Sequence, residues 1–328
     1  MNCRAALALV ACLGAAACVA SATRSGALTP LLNRQALAAC PFLATHDFAF
    51  TSNADGDSDI YLYQGATQSI LKLTDNDAQD HWATWSPDGA RLAFQSLRDG
   101  NREIYVLELA TGELRNISRH PGQDLLPAWS PDGNHIAFLS SRDRSWNGEG
   151  PLGGDIFLAH PDGSGLRRLE AEGFYSTSSL AWSPDGRTIA YARFGEGRQG
   201  LSLFDVESGA ERQVLALEGA APGLAAWTAS GEGLLYYLDH ETGADLFVLS
   251  LSDSRSRRVT RGEGRHYYVS SAPDGTQLLT TSAQDAEGRV YDIRCQSLDG
   301  DVDVAVIDDP SDARAAAVRP SRPVRPPE

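Results

Sequence analysis

The chain has 328 residues with 28 basic against 43 acidic side chains, a net charge of −15. Binding to a phosphate backbone needs a concentrated basic footprint, which this sequence lacks, so nucleic acid is not an expected partner. Length alone allows one large core or two ordinary ones, and an internal repeat decides for one.

In chain order, Arg4, the apolar run Ala5–Ala20 and the small residues Ala20-Ser21-Ala22 read as an export signal over residues 1–22, giving a mature chain from Thr23. A lipoprotein anchored through Cys18, which follows Ala15-Ala16-Ala17, is the rival reading, with Cys12 after Leu9-Val10-Ala11 a second site of that kind. A periplasmic or secreted location follows, and no later stretch is long and apolar enough to span a bilayer. Three of the five cysteines lie inside the signal, leaving Cys40 and Cys295. In an oxidising compartment two such residues favour a disulfide over two buried thiols. Residues 23–39 show no clear period and read as a loose leader.

The repeat follows. Trp-Ser-Pro-Asp-Gly occurs at Trp85–Gly89, Trp129–Gly133 and Trp182–Gly186. Trp227-Thr228-Ala229-Ser230-Gly231 and Ser271-Ala272-Pro273-Asp274-Gly275 are weaker copies. Proline sets the first corner, the Asp side chain caps it and glycine takes the last position, so each copy joins two antiparallel strands. Measured at the proline position the intervals are 44, 53, 45 and 44 residues, the long one holding a turn-rich insertion between Arg142 and Asp155. A degraded first copy precedes them, Phe48-Ala49-Phe50 matching Leu92-Ala93-Phe94.

Third strands are expected at Ile60–Tyr63, Ile104–Leu107, Ile156–Ala159, Leu201–Phe204, Leu246–Leu249 and Val290–Ile293. Fourth strands are expected at Ile70–Thr74, Leu114–Ser118, Leu166–Glu170, Arg212–Leu217, Ser256–Thr260 and Val302–Ile307. Six copies of four strands at this period define an all-β fold, a six-bladed β-propeller of four-stranded antiparallel blades over residues 40–307.

Trp85, Trp129, Trp182 and Trp227 should fill the gaps between blades. Cys40 falls where the first blade's inner strand should run and Cys295 ends the third strand of the last, so a Cys40–Cys295 bond would staple the closure. With Val302–Ile307 as its own fourth strand, the last blade needs no strand exchanged between the chain ends, and residues 308–328, rich in Pro and Arg, read as a disordered tail.

Trp-Ser-Pro-Asp-Gly, then Ile-Ala-Phe, then Ser-Arg-Asp and Ile-Tyr-Val or Ile-Phe-Leu, at this spacing, resembles the WD40-like (PD40) repeat of TolB-type propellers over residues 40–307. The resemblance implies a cell-envelope protein-interaction module, since the TolB propeller binds the peptidoglycan-associated lipoprotein Pal and colicins. Only residues 23–39 separate the expected signal from the first blade, so the N-terminal domain of full TolB has no expected counterpart, and a role in Tol energy coupling does not follow. Similar repeats occur in the propeller of prolyl oligopeptidase-type peptidases, but no hydrolase domain is expected here.

The search for chemistry finds no Gly-x-Ser-x-Gly, His-Glu-x-x-His, Cys-x-x-Cys or phosphate-cradling glycine loop. Asp55-Gly56-Asp57-Ser58-Asp59 has the alternate carboxylates of a calcium loop, but its glycine is misplaced and the closing Glu is absent, so a hairpin is favoured. Asp80, Asp124 and His266 each lie seven residues before the turn proline, where equivalent positions of a ring converge on one channel mouth. His81, Trp82, Tyr267 and Tyr268 would add titratable and aromatic groups there. Capping and packing compete with this reading at every one of these positions. Trp146, in the insertion Asp143–Gly154, is a second contact candidate.

The function expected is a non-enzymatic, monomeric, protein-binding propeller of the envelope, with a Pal-like lipoprotein as the partner implied by the resemblance and no cofactor. The alternatives are a metal-dependent lyase or hydrolase holding a divalent cation in the channel through carboxylate and His groups, and a propeller that binds cell wall or carbohydrate without catalysis.

Overall fold

The structure, a computed structural model, describes residues 33–142, 153–169, 174–175, 179–193, 199–217, 220, 222–241, 243–260, 266–283, 291–307 and 312–320. Both readings of residues 1–22, and Trp146 with most of its insertion, lie outside the described residues.

Six four-stranded antiparallel sheets follow one another along the chain. Blade 1 contains β1 (Phe48–Ser52), β2 (Asp59–Gln64) and β3 (Ser69–Lys72). Blade 2 runs through β4 (Asp80–Trp85), β5 (Arg91–Ser96), β6 (Glu103–Glu108) and β7 (Leu114–Asn116). Blade 3 has β8 (Asp124–Trp129), β9 (Ile136–Ser140), β10 (Gly153–Ala159) and β11 (Arg167–Arg168), with a short β12 (Phe174–Tyr175) paired to the start of β10. Blade 4 has β13 (Leu180–Trp182), β14 (Thr188–Arg193), β15 (Gly200–Asp205) and β16 (Glu211–Ala216). Blade 5 has β17 (Pro222–Trp227), β18 (Gly233–His240), β19 (Gly243–Ser250) and β20 (Ser256–Arg258), and blade 6 β21 (His266–Ser271), β22 (Gln277–Ala283), β23 (Tyr291–Ser297) and β24 (Asp303–Ile307).

Closure differs from the sequence reading. The inner strand of blade 1 is β25 (Ala313–Val318), so the sheet order is β25-β1-β2-β3 and the chain ends do exchange a strand. Part of the segment read as a disordered tail is therefore the last piece of the ring. Its sequence, Ala-Arg-Ala-Ala-Ala-Val, carries no β-branched or aromatic alternation except its final residue, so local strand propensity does not mark it and pairing with β1 holds it. The leader also has structure: Arg34–Ala39 forms a short helix, α1, capped by Asn33 accepting from Gln35 N, and the backbone N–H of Asn33 donates to Val306 O of β24.

Cys40 lies not on a strand but between α1 and the 3-10 turn Pro41–Ala44, while Cys295 is on β23. The two form a disulfide with a Cα–Cα separation of 6.6 Å, inside a core shared by Phe48, Tyr63, Leu279 and Val306. Two devices thus close one junction. β25 joins the chain ends by backbone pairing, and the disulfide ties the leader to blade 6.

Within a blade the outer strand is fixed by a repeated latch. Thr74 Oγ1 donates to Asp59 and accepts from Ile60 N; Thr260 Oγ1 does the same with Asp245 and Leu246 N; Ser118 does so with Glu103 and Ile104 N. Between blades, the indole N–H groups of Trp85, Trp182 and Trp227 donate to Ala317 O, Ala128 O and Ala181 O of the preceding blade's inner strand. Trp129 is buried with its indole N–H unpaired, and Arg91 lies over its ring. One end of the ring is built by the Ser-Pro-Asp-Gly turns. Ser86, Ser130 and Ser183 donate to Asp88, Asp132 and Asp185 and accept from Arg91 N, His135 N and Thr188 N, with glycine at positive φ closing each turn.

Candidate binding site at the channel mouth

The inner strands begin at the opposite end of the ring, and there they are bulged. The β4–β5, β8–β9, β21–β22 and β25–β1 registers each slip near the start of the inner strand. The residue at the slip adopts a left-handed conformation although it is not glycine: Trp82 (φ 62°), Leu126 (φ 54°), Tyr268 (φ 46°) and Ala315 (φ 53°). Such conformations cost of order 1–3 kcal/mol each and persist only where the surroundings hold them. They turn four equivalent residues inward. Together with Ser179 and Leu224 from blades 4 and 5, these residues line a central cavity of about 210 Å³ whose remaining wall is mainly alanine, leucine and valine. Trp82 and Tyr268 meet across it edge to face, ring centroids 4.4 Å apart, in front of β25.

Equivalent positions do converge, but two residues further along the strand than the sequence reading placed them. Asp80 and Asp124 are buried inside blades 2 and 3, each accepting hydrogen bonds from side chains of its own blade and its flanking loops. Asp80 takes Arg98 at 3.0 and 3.2 Å and Asn76 at 2.8 Å; Asp124 takes Arg142 at 3.0 and 3.1 Å. Each arginine also donates from Nε to Ser96 or Ser140 and lies over two aromatic rings of its own blade, Phe94 and Tyr105 or Phe138 and Phe157. This explains why Ser-x-Arg-Asp recurs with the Asp that opens the inner strand: its arginine and that Asp form one intrablade ion pair. Burial pushes the Asp124 carboxyl up, against the hydrogen bond from Ser140 and the charge of Arg142. His266 is the blade 6 counterpart, buried against Gln296 at 3.1 Å, and burial pushes its pKa down.

The three groups therefore sit in three separate blades, and none of them lines the central cavity. That cavity presents no carboxylate or histidine among its described lining residues. The triad that would have held a cation or performed acid/base chemistry is not assembled. Among the described residues, the group of acids close enough to share an ion is Asp55, Asp57 and Asp59, on the β1–β2 hairpin. There Lys72, the one lysine of the chain, supplies the positive charge, pairing with Asp55, with Asp59 at 2.8 Å and with Asp75 at 2.6 Å. Burial raises the Asp59 carboxyl to about 6, with Lys72 and Thr74 opposing it.

Of the other candidates, Trp82 is at the converging position, and His81 and Tyr267 precede it by one residue in their strands. Tyr267 packs edge-on against Tyr237 and donates to Asp239 at 2.8 Å. His81 opens onto a second cavity of about 250 Å³ beside the first, with Trp82, Thr51, Gln95, Arg102 and Arg314 in its wall. Burial, and then the charge of Arg314, lowers the His81 pKa to about 4, so the ring is neutral at physiological pH. Arg314 itself is held by Asp312 through Nε at 2.7 and 2.9 Å and lies over Tyr291. Sequence reasoning missed Arg102, Gln95 and Thr51, and took Arg314 as part of the Pro- and Arg-rich tail. Equivalence with His81 in the repeat would have found Arg314 had β25 been recognised as a strand.

A closed ring of six four-stranded antiparallel blades around a central, largely apolar cavity defines this chain as a six-bladed β-propeller. The family model for the TolB beta propeller domain (PD40) matches residues 44–180 and 155–315, and the chain belongs to that family. A TolB homolog from Chlorobium luteolum is 34% identical over 138 residues, which is 42% of this chain and 30% of that protein, so the match spans less than a third of the relative's length. Among solved structures, TolB from Acinetobacter baumannii superposes with a TM-score of 0.71 at 16% identity, over 84% of this chain and 67% of that one. Oligogalacturonate lyase in complex with manganese is similar at a TM-score of 0.55 and 16% identity, over 79% of this chain and 73% of that one. At these identities the solved structures report the fold alone.

Proposed function

We propose that this chain is a non-enzymatic, monomeric protein-binding module of the bacterial cell envelope, periplasmic or secreted, that grips its partner at the bulged mouth of the channel. The observation that carries this reading is the convergence there of Trp82, Leu126, Tyr268 and Ala315 in strained backbone conformations, beside a cavity with polar groups. Left-handed backbone repeated at one equivalent inner-strand position in four blades supports a surface used for recognition. The family resemblance supports a protein partner, with a Pal-like lipoprotein the first to try. A disulfide between Cys40 and Cys295 agrees with an oxidising compartment, and among the described residues no helix is long and apolar enough to cross a membrane.

The test is retention of envelope proteins on the immobilised chain. Gln79 is exposed at the mouth and Asn134 is exposed on a Ser-Pro-Asp-Gly turn at the far end, so Gln79→Trp obstructs one face and Asn134→Trp the other without touching the core. A protein retained by the wild type and by Asn134→Trp but lost from Gln79→Trp supports the reading. Equal retention by all three sinks it.

A further inference from the structure

The charges at the channel mouth do not follow those of the chain as a whole. The net charge is −15, yet no Asp or Glu is among the described residues lining the central cavity or the cavity beside it, and the second has Arg102 and Arg314 in its wall. Pairing off the charges around His81 leaves one over. Asp80 is taken by Arg98, Asp312 holds Arg314 through its Nε, and the His81 ring is neutral at physiological pH. Arg102 is half-buried and pinned at the seam between blades 2 and 3, its N–H donating to Gln123 and its carbonyl accepting from Asp124 N. Its guanidinium has no hydrogen-bond or ion-pair partner among the described residues.

One uncompensated guanidinium in a cavity of about 250 Å³ selects for one negative charge. It can only donate, and its planar fork matches a carboxylate. A single charge suits a carboxylate monoanion better than a phosphate dianion. Trp82, Leu125, Leu126 and Ala315 supply the apolar part of the wall. What accompanies the carboxylate decides its source. A chain terminus brings a backbone N–H into the cavity, and the Gln95 and Thr51 side-chain oxygens are too deeply buried to accept from it. An Asp or Glu side chain brings only an apolar stem, which Trp82, Leu125 and Leu126 can cover.

We propose that this cavity receives an acidic side chain of the protein partner, an Asp or Glu whose carboxylate pairs with Arg102 and whose stem lies against Trp82. Arg314 stays with Asp312 and is the second positive charge in the wall. The inference rests on the reading of this mouth as the partner-binding face and names the charge the partner brings to it.

The experiment uses the full mature chain and three short peptides at fixed ionic strength: acetyl-Ala-Glu-Ala-amide, its Gln counterpart, and acetyl-Ala-Gln-Ala with a free C-terminus. His81 shares the cavity wall and is the reporter, its imidazole resonance being assigned by its loss in His81→Gln. The Glu peptide is expected to move that resonance saturably and to raise the His81 pKa, because a bound anion favours the imidazolium. The Gln peptide should leave it in place, and the peptide with a free C-terminus should bind at least tenfold more weakly than the Glu peptide. Arg102→Gln should weaken the Glu peptide at least tenfold while leaving Tm unchanged, since its guanidinium holds no other group, so that loss of binding is separable from loss of fold. No saturable movement of His81, equal binding of the Glu and Gln peptides, a free C-terminus bound as tightly as the Glu side chain, or an unaffected Arg102→Gln overturns the proposal. If the Glu peptide binds but Gln79→Trp retains the envelope partner as the wild type does, the carboxylate pocket stands and the reading of the mouth as the partner face falls. If the partner is lost from Gln79→Trp but the Glu peptide does not bind, the reverse holds.

Discussion

At the Ser-Pro-Asp-Gly end of the ring, blades 2, 3 and 4 make one turn with one set of hydrogen bonds, and blade 5 keeps part of it by using Thr228 in place of the serine. At the opposite end, the equivalent positions carry Trp82, Leu126, Ser179, Leu224, Tyr268 and Ala315, and four of them are held in left-handed backbone conformations. The same strands run between both ends. The difference teaches that a repeat keeps its sequence where one set of turn hydrogen bonds must be made in each blade, and diverges where the equivalent residues of the blades meet one another.

The sharpest way to break that comparison is to remove the strand that completes it. Truncation after Asp312 leaves β1 without β25 and opens the ring, and the chain is expected to lose its cooperative unfolding transition in calorimetry. Opening the second closure is milder. Replacing Cys40 and Cys295 by serine frees a link spanning 255 residues, and denaturant titration should show a loss of up to about 5 kcal/mol, the chain-entropy ceiling. Next come the intrablade ion pairs. Arg142→Ala strands the buried Asp124 carboxylate and should cost about 3–5 kcal/mol, with Arg98→Ala costing less because Arg98 is the more exposed of the two, 21% against 8%.

The pH dependence sharpens the account of the mouth. His81 has a pKa of about 4 in the fold against an ordinary value near 6.5, so its contribution to stability is complete above pH 6.5 and is lost as pH falls from there to 4. The ceiling is about 3 kcal/mol, and partial solvation of the ring reduces the expected loss to about 1–2 kcal/mol. The difference between wild type and His81→Gln across this window isolates the effect, because Asp59, raised to about 6, favours the fold in the opposite direction in both proteins. The smallest effect separates two tryptophans that the repeat treats as equal. Trp85→Phe breaks the hydrogen bond to Ala317 O and Trp129→Phe breaks none, so the first should be more destabilising by about 1 kcal/mol.

Much of the blade architecture was legible because turn chemistry and period-two alternation are local. The third and fourth strands lie where the repeat put them, to within a few residues, and the disulfide pairs Cys40 with Cys295 as expected. β25 was not legible, since Ala-Arg-Ala-Ala-Ala-Val carries little strand signal by itself and its role depends on a partner strand more than 250 residues away. The site was legible only in part. Spacing from the turn marks equivalent positions in the blades, but a bulge inserts a residue between the turn and the cavity, so Asp80, Asp124 and His266 lie inside their blades while Trp82 and Tyr268 line the cavity. Nor can a one-dimensional repeat show that Asp80 and Asp124 are already taken by Arg98 and Arg142.

The measurement that tests the central claim most directly is site-specific photocrosslinking in the producing cell, with a photoreactive residue placed at Gln79 on the mouth or at Asn134 on the turn face. The account predicts a discrete protein adduct from Gln79 and none from Asn134. An adduct from Asn134 alone, or the same adduct from both positions, would contradict it.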